Sequence, residues 1–413
     1  MNRNNESFLI ERGILIQNSY LVKVTAVTEV YGSGQKIVAA VLEYNVAVLA
    51  ETISLSCFEI EGRVITDLVV SDVYRGSQRK QGHFVELILD SDDDDAATKV
   101  VSGNGRHSRL KICPASLEVS QIKVIKGENA AELPPFQKER NTDTDNGIAD
   151  CFAVYTFHDP KSDRELNYHI YFPPNMGNGQ KLPLVLFMHD AGSCSDDAKA
   201  ALAQGSGAVV WAREAEMGKR PCYVVAPHYP EVCANDEFQV TWHVETTIAL
   251  IKSLVEKCTI DPMRIYGTGQ SMGCMMLCEM LISYPDFFAG SLLVAGQWDP
   301  KRMERAKDAS IWSIVSAGDK KAFPIMGECL ANMEKAGGTL SIGHMDAKAD
   351  MAVLNEQIRR QKKQGCNLNY TWFEGNSILP QNTPDHPGMH HICTWAKAYD
   401  IEALREWLFE QRR

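Results

Sequence analysis

The sequence contains no run of 18 or more apolar residues, which excludes a transmembrane helix. Its first residues, Met1–Ser7, lack the basic and then apolar pattern of a secretory signal peptide. Basic residues are also in the minority, because 42 Lys and Arg stand against 53 Asp and Glu and give a net charge of −11. Such a charge argues against nucleic acid and against a membrane as partners, since nucleic acids and anionic membranes both select basic surfaces.

The twelve cysteines lack the regular spacing of a disulfide framework, and no pair of Cys-x-x-Cys motifs is present to bind a structural zinc ion. Several cysteines lie in apolar segments, among them Cys222, Cys274 and Cys278, which is typical of buried thiols that stay reduced. We therefore expect a cytoplasmic protein without metal or cofactor. Secretion stays open if a leader has been removed.

The length of 413 residues predicts two domains. From Phe8 to about Ile125, apolar and polar residues alternate with a period of two in about seven short runs separated by turn residues. This pattern predicts an all-β, immunoglobulin-like sandwich over residues 1–126. Residues 127–150 are polar and contain Pro134-Pro135, which predicts a linker.

From residue 151 to 413, predicted strands alternate with predicted helices. An antiparallel pair at 152–157 and 166–173 is followed by the apolar run Leu182–Met188, which is typical of a strand buried on both faces. The remaining predicted strands are 223–227, 264–266, 291–294, 311–315 and 368–373. An eight-stranded, mostly parallel sheet of this kind predicts the α/β-hydrolase fold.

The stretch Gly269-Gln270-Ser271-Met272-Gly273 has the G-x-S-x-G pattern of a nucleophile elbow. The bare pattern also fits an ordinary glycine-rich turn. Here, however, it follows a predicted strand, the fifth of the sheet, and precedes an apolar helix, which is the context that the motif requires. The sequence therefore predicts Ser271 as a nucleophile, with the Met272 N–H directed at an oxyanion.

The fold places the triad residues in the chain order Ser, Asp or Glu, His. Asp319 directly follows a predicted strand, although an aspartate there also suits a turn or a helix N-cap. The base has to be a late histidine. We favour His391, on the loop that enters the last helix, with His390 as the fallback, and we assign His344 to a polar insert before the last strand.

The loop after the third strand has the sequence His189-Asp190-Ala191-Gly192. Its small residues allow a backbone N–H to approach a carbonyl oxygen, so Ala191 or Gly192 is predicted to be the second oxyanion donor. His189 is expected to pack structurally. Trp242 is either part of the substrate pocket, against the acyl group, or part of the core.

Further motifs are Leu184–Gly192, Gly207–Ala212, Val225–Pro227, Ile260–Tyr266, Gly269–Gly273 and Glu406–Gln411. With these motifs the chain from about Leu166 to Arg413 resembles α/β-hydrolase esterases related to polyhydroxybutyrate depolymerases, often labelled predicted peptidases. The resemblance is greatest to the members with an N-terminal immunoglobulin-like domain. It implies a carboxylic-ester hydrolase with Ser271, Asp319 and His391 as triad, and with Met272 and the Ala191 region as oxyanion hole.

Three departures from the pattern of these esterases stand out. Asp190 occupies a position at which glycine is usual, Cys274 replaces a second glycine after the elbow, and the late loop Gly375–Gly388 is longer than expected. The predicted function is hydrolysis of a small-molecule ester. A small-peptide serine peptidase and a non-catalytic binding or assembly module stay open as alternatives, and the N-terminal domain is a candidate for homo-oligomer contacts.

Overall fold

A computed structural model describes residues 20–103, 109–174 and 179–413. The chain divides into a first compact unit (residues up to 28, 37–96 and 114–145) and a second one (29–36, 97–113 and 146–413). The N-terminal segment Met1–Ser7 and the predicted start of the β-region at Phe8 lie outside the described residues. Within the described ranges, no helix combines the length and apolar character needed to cross a membrane.

Among the described residues before 146 there are twelve strands. They are β1 (Leu21–Tyr31), β2 (Gly34–Leu49), β3 (Phe58–Ile60), β4 (Ile65–Ser71), β5 (Gln81–Leu89), β6 (Lys99–Ser102), β7 (Arg109–Ile112), β8 (Glu118–Gln121), β9 (Ile125–Lys126), β10 (Glu132–Leu133), β11 (Phe136–Arg140) and β12 (Asp143–Asp145). In the first unit, a five-stranded sheet has the order β12-β1-β2-β5-β4 and a three-stranded sheet the order β11-β8-β3. Side chains of both sheets, such as Leu42 and Val119, share one buried core, so the unit is a β-sandwich.

The segment 127–150, for which the sequence predicts a linker, contains three of these strands. β11 pairs antiparallel with β8, and β12 pairs parallel with β1. β10 and β12 have only two and three residues, and four of the five residues of β11 are at most half-buried. Elements this short produce no measurable alternation in the sequence.

The described residues from 146 onwards contain nine further strands and ten α-helices of the second unit. The strands are β13 (Ala153–Asp159), β14 (Arg164–Tyr171), β15 (Leu182–Met188), β16 (Tyr223–Pro227), β17 (Ile260–Gln270), β18 (Gly290–Val294), β19 (Ile311–Ser316), β20 (Leu340–Met345) and β21 (Leu368–Phe373). The helices are α1 (Ala200–Ala203), α2 (Ser206–Val209), α3 (Glu214–Met217), α4 (His243–Lys257), α5 (Met272–Ser283), α6 (Pro300–Met303), α7 (Ala322–Lys335), α8 (Met351–Lys362), α9 (Pro387–Ala398) and α10 (Glu402–Glu410).

These nine strands form one sheet with the order β13-β14-β16-β15-β17-β18-β19-β21-β20, in which all pairs from β16 to β20 are parallel. Apolar side chains are buried on both faces of the sheet, which confirms the predicted α/β-hydrolase fold. The predicted number of eight strands is wrong, because β20 forms an additional edge strand. His344 lies in β20 and not in a polar insert. One face of β20 is exposed, with Ile342 56% accessible, so its apolar signal is weak.

The parallel strands at the centre of the sheet end at the same edge. Their register aligns Met188 at the end of β15 with Gly269, and Gln270 at the end of β17 with Val294. The loops that follow β15, β17, β18 and β19 therefore emerge side by side. Such an edge is where open α/β sheets place their ligand sites.

Candidate active site

The elbow between β17 and α5 is a strained and tightly packed turn. Ser271 has φ 52° and ψ −116°, a backbone conformation that L-residues rarely adopt and that is typical of functional sites. A Cβ on Gly273 would lie 2.1 Å from the Met188 carbonyl oxygen, and a Cβ on Gly269 would lie 2.5 Å from the Gly273 carbonyl carbon. Glycine is therefore required at both positions, because α5 begins in close contact with the ends of β15 and β17. Ser271 is half-buried at the tip.

Ser271, His391 and Asp319 form one hydrogen-bonded chain. The Ser271 Oγ lies 2.8 Å from His391 Nε2, and His391 Nδ1 lies 2.5 Å from Asp319 Oδ2. Because an ionised carboxylate can only accept, Nδ1 carries the proton and Nε2 accepts from the Ser271 hydroxyl. Asp319 is nearly buried, with 5% of its side chain exposed, whereas 26% of the His391 side chain is exposed.

Asp319 has two structural roles that the sequence presented as alternatives. Its Oδ1 accepts the N–H groups of Lys321 and Ala322 at the start of α7, while its Oδ2 accepts from His391. Burial by itself would raise the pKa of Asp319. The hydrogen bond and charge of His391, together with the two backbone N–H groups, outweigh burial and lower the pKa of Asp319. Asp319 thus stays ionised at neutral pH.

The two adjacent histidines lie in helix α9, and the prediction that His391 lies on a loop is wrong. Successive residues of an α-helix point about 100° apart, so the two imidazoles face different neighbours. His391 reaches Ser271, whereas His390 is buried and contacts Ser316 and Asp385. The hydrogen bonds of His390 therefore leave it out of the chain that contains Ser271.

The loop after β15 carries the predicted oxyanion donors. The Tyr229 N–H donates to His189 Nε2 at 2.9 Å, so Nδ1 carries the proton of this buried imidazole and donates to the Asp190 carbonyl oxygen at 2.8 Å. That carbonyl belongs to the same trans peptide as the Ala191 N–H, which therefore points away from His189. A 3-10 turn over Ala191–Ser193 follows and contains Gly192. His189 has the structural role that the sequence predicted, as an anchor of this loop.

Asp190, one of the three departures noted in the sequence, connects this loop to the elbow. Its Oδ2 accepts from Ser193 Oγ at 2.9 Å and from Gln270 Nε2 at 3.1 Å. Gln270 directly precedes the serine, so the two loops are held together by side chains. A second departure, Cys274, packs its side chain against Gly296, where an added Cβ would lie 2.5 Å from the sulfur.

Met272, the predicted donor in the elbow, is the first residue of α5. Its N–H therefore has no acceptor within the helix. The Met272 side chain is buried, and its sulfur accepts the Cys233 N–H at 3.2 Å and contacts the Cys194 thiol at 3.9 Å. The backbone N–H groups of Met272 and Ala191 belong to two loops that emerge beside each other at the same sheet edge.

Trp242, the predicted pocket residue, contacts side chains that do not belong to the triad. Its ring stacks on His243 at 3.7 Å between centroids, and the Arg164 guanidinium lies 4.6 Å above it. Nothing in these contacts connects Trp242 to Ser271, so its assignment to the substrate pocket stays a prediction. Sequence reasoning overlooked Trp395, which packs edge-to-face on His391 at 5.1 Å. Its position four residues after His391, one turn further along α9, was the available signal.

Comparisons with known proteins find a match for the N-terminal unit and another for nearly the whole chain. Residues 23–134 match the family described as esterase Ig-like N-terminal domain. A solved structure of a thermostable esterase is 26% identical and superposes with a TM-score of 0.77 over 95% of this chain and 100% of that one. The chain has the α/β-hydrolase fold, and its N-terminal immunoglobulin-like domain matches the esterase type. The resemblance inferred from the sequence motifs is confirmed at this level.

Solved structures with lower similarity to this hydrolase are a ferulic acid esterase and an S-formylglutathione hydrolase from Staphylococcus aureus. The first is 11% identical, with 63% of this chain and 97% of that chain covered and a TM-score of 0.42. The second is 13% identical, with 62% and 98% covered and a TM-score of 0.35. A comparison with the curated proteins finds no match.

Burial lowers the pKa of four histidines of the hydrolase unit: His169, His189, His228 and His243. For His189 and His243 the pKa falls to about 4. In the unfolded chain these groups titrate near 6.5, so below that pH the unfolded state binds more protons and the folded state loses stability. We expect stability to fall as the pH drops from 6.5 towards 4, by up to about 1.4 kcal/mol per pH unit for each of His189 and His243.

Urea unfolding at a series of pH values measures this slope. A His243→Gln variant provides the control, because removal of one buried imidazole should flatten the slope by about 1.4 kcal/mol per pH unit. An unchanged slope in that variant would show that other groups cause the loss of stability in acid.

Proposed function

We propose that this hydrolase cleaves carboxylic esters of small molecules through an acyl-enzyme formed on Ser271. The observation that carries the proposal is the continuous hydrogen-bonded chain from Ser271 Oγ through His391 to the buried Asp319. The similarity to a thermostable esterase over nearly the whole chain supports the ester as substrate class.

In the proposed reaction, His391 Nε2 takes the hydroxyl proton while Ser271 Oγ attacks the ester carbonyl carbon. Asp319 holds the imidazole in the Nδ1–H tautomer and stabilises its positive charge. The N–H groups of Met272 and Ala191 stabilise the oxyanion of the tetrahedral intermediate. His391 then donates the proton to the leaving alcohol, and a water molecule hydrolyses the acyl-enzyme by the same steps in reverse order.

We favour an ester over a peptide as the substrate because a leaving alkoxide needs less assistance than a leaving amine. The test is a series of p-nitrophenyl esters of increasing acyl length, assayed beside p-nitroanilides of amino acids and short peptides. We expect hydrolysis of the short-chain esters and little release from the anilides. Preferred cleavage of the anilides would favour the peptidase, and inertness towards both classes would favour a binding module.

A further inference from the structure

A second Ser-His-Asp chain lies directly beside the first one. His390 Nδ1 is 2.9 Å from Ser316 Oγ, and His390 Nε2 is 3.0 Å from Asp385 Oδ1. Ser316 and His390 are buried, with 0% and 1% exposed, whereas 65% of the Asp385 side chain is exposed. Because the Ser316 hydroxyl is sealed from solvent, this row of hydrogen-bonded side chains is not a second catalytic site.

The hydrogen bonds of this chain run in one direction. Asp385 also accepts from the Asn376 amide. The hydrogen bonds of Asn376 and His390 lower the pKa of Asp385, so this carboxylate is ionised. It therefore accepts from His390 Nε2–H. His390 Nδ1 then accepts from the Ser316 hydroxyl. Ser316 Oγ in turn accepts the Gly318 N–H at 3.3 Å. Every polar atom of the buried imidazole and hydroxyl thus has a partner.

This hydrogen-bonded chain ends at the turn that contains Asp319. The Asp319 N–H donates to the Ser316 carbonyl at 3.0 Å, so residues 316–319 form one closed turn at the end of β19. A Cβ on Gly318 would lie 2.2 Å from His390 Nδ1 and 2.3 Å from two ring carbons. The imidazole therefore lies against the backbone one residue before Asp319, in a space that only glycine leaves open.

We propose that His390 is a positioning residue of the active site, which fixes the turn 316–319 through Ser316 and Gly318 and so holds Asp319 at hydrogen-bonding distance from His391. This inference rests on the proposed function. Asp385, on the long late loop, orients His390 and connects that loop to the turn. Helix α9 thereby provides two adjacent histidines in opposite tautomers: His391 contacts the nucleophile, and His390 sets the position of the acid.

Three variants test the inference. Ser316→Ala removes one oxygen and breaks the connection to the turn. His390→Gln retains a donor for Asp385 but cannot reach Ser316, whereas His390→Asn places an amide near the Nδ1 position and retains the Ser316 contact. The control is Thr394→Val, which removes another buried hydrogen bond of α9, from Thr394 Oγ1 to the His390 carbonyl at 2.8 Å.

The main readout is the low-field proton resonance of His391 Nδ1–H in the NMR spectrum, since this proton lies in the short bond to Asp319. We expect the resonance to shift upfield or disappear in Ser316→Ala and His390→Gln, and to persist in His390→Asn and Thr394→Val.

With an ester substrate, Ser316→Ala and His390→Gln should lose about tenfold to hundredfold in kcat with little change in KM. The acid limb of their kcat/KM profile should move to lower pH, because a displaced carboxylate stabilises protonated His391 less.

A wild-type resonance and kcat in Ser316→Ala, with only the melting temperature lowered as in Thr394→Val, would overturn the inference and leave His390 with a structural role alone. Ser316→Ala decides this even if the His390 variants fail to fold. The resonance needs no substrate, so the positioning role can be tested even if every ester proves inert. Inertness towards every ester would overturn the proposed function, whereas a wild-type resonance in Ser316→Ala would overturn the positioning role, so the two failures are distinguishable.

Discussion

Ser271→Ala is expected to lower the kcat for ester hydrolysis by about 10⁴-fold or more, to the residual level that oxyanion donors and substrate binding alone provide. The loss follows from the geometry, because the Ser271 hydroxyl is the group that His391 Nε2 accepts from. Alanine retains the Cβ, so the strained backbone at φ 52° persists and the melting temperature should stay close to that of the wild type. Assays with p-nitrophenyl acetate or butyrate measure the effect.

The matched control is Ser291→Ala in strand β18. In the described parts of the chain, the buried Ser291 Oγ has no hydrogen-bond partner, so its removal should leave both activity and stability nearly unchanged. If Ser271→Ala retained a tenth of the wild-type rate, another residue would be the nucleophile and the proposed mechanism would fail.

Gly273→Ala is expected to destabilise the hydrolase unit by about 3 kcal/mol or more and to abolish activity. The added Cβ would lie 2.1 Å from the Met188 carbonyl oxygen and 2.9 Å from that of His189. Met188 ends a strand that is paired on both sides by β16 and β17, so this backbone cannot move away cheaply. We expect a fall of about 10 °C in melting temperature.

Gly327→Ala in helix α7 provides the comparison. Its Cβ would meet the Tyr370 ring at 3.4 Å, an ordinary contact, and alanine in a helix interior is favoured by about 0.5–1 kcal/mol over glycine. This variant should therefore be as stable as the wild type or slightly more so. Equal melting temperatures for the two alanine variants would mean that α5 is not packed as closely on β15 as described.

Local pattern was sufficient for the elements that are long, apolar or bounded by glycine. The elbow at Ser271 needs a strand, two glycines and a helix that follow one another in the chain, and all of these are visible in the sequence. The candidate acid could be predicted in the same way, because Asp319 lies in the turn directly after the apolar strand β19. The fold itself followed from the apolar runs of the central strands, which are buried on both faces.

The elements that the sequence misplaced are short, polar or at an edge. β20 has one exposed face, and β10 to β12 have two to five residues each, so neither length nor periodicity distinguishes them from loops. Their strand character arises from backbone pairing with partners that are distant in the chain. Residues 29–36 and 97–113 similarly belong to the compact unit of the hydrolase domain, which no local feature of these segments indicates.

The sequence by itself determined the fold class and predicted the nucleophile and the chain order of the triad, since each depends on residue types within one strand and the turn that follows it. Only the tertiary structure decided between the two late histidines. Neighbouring residues of a helix differ by about 100° in direction, and the rotation of α9 about its axis is set by what it packs against. That packing directs His391 to Ser271 and His390 to Ser316 and Asp385, contacts that span up to 120 residues of chain and leave no trace in local periodicity.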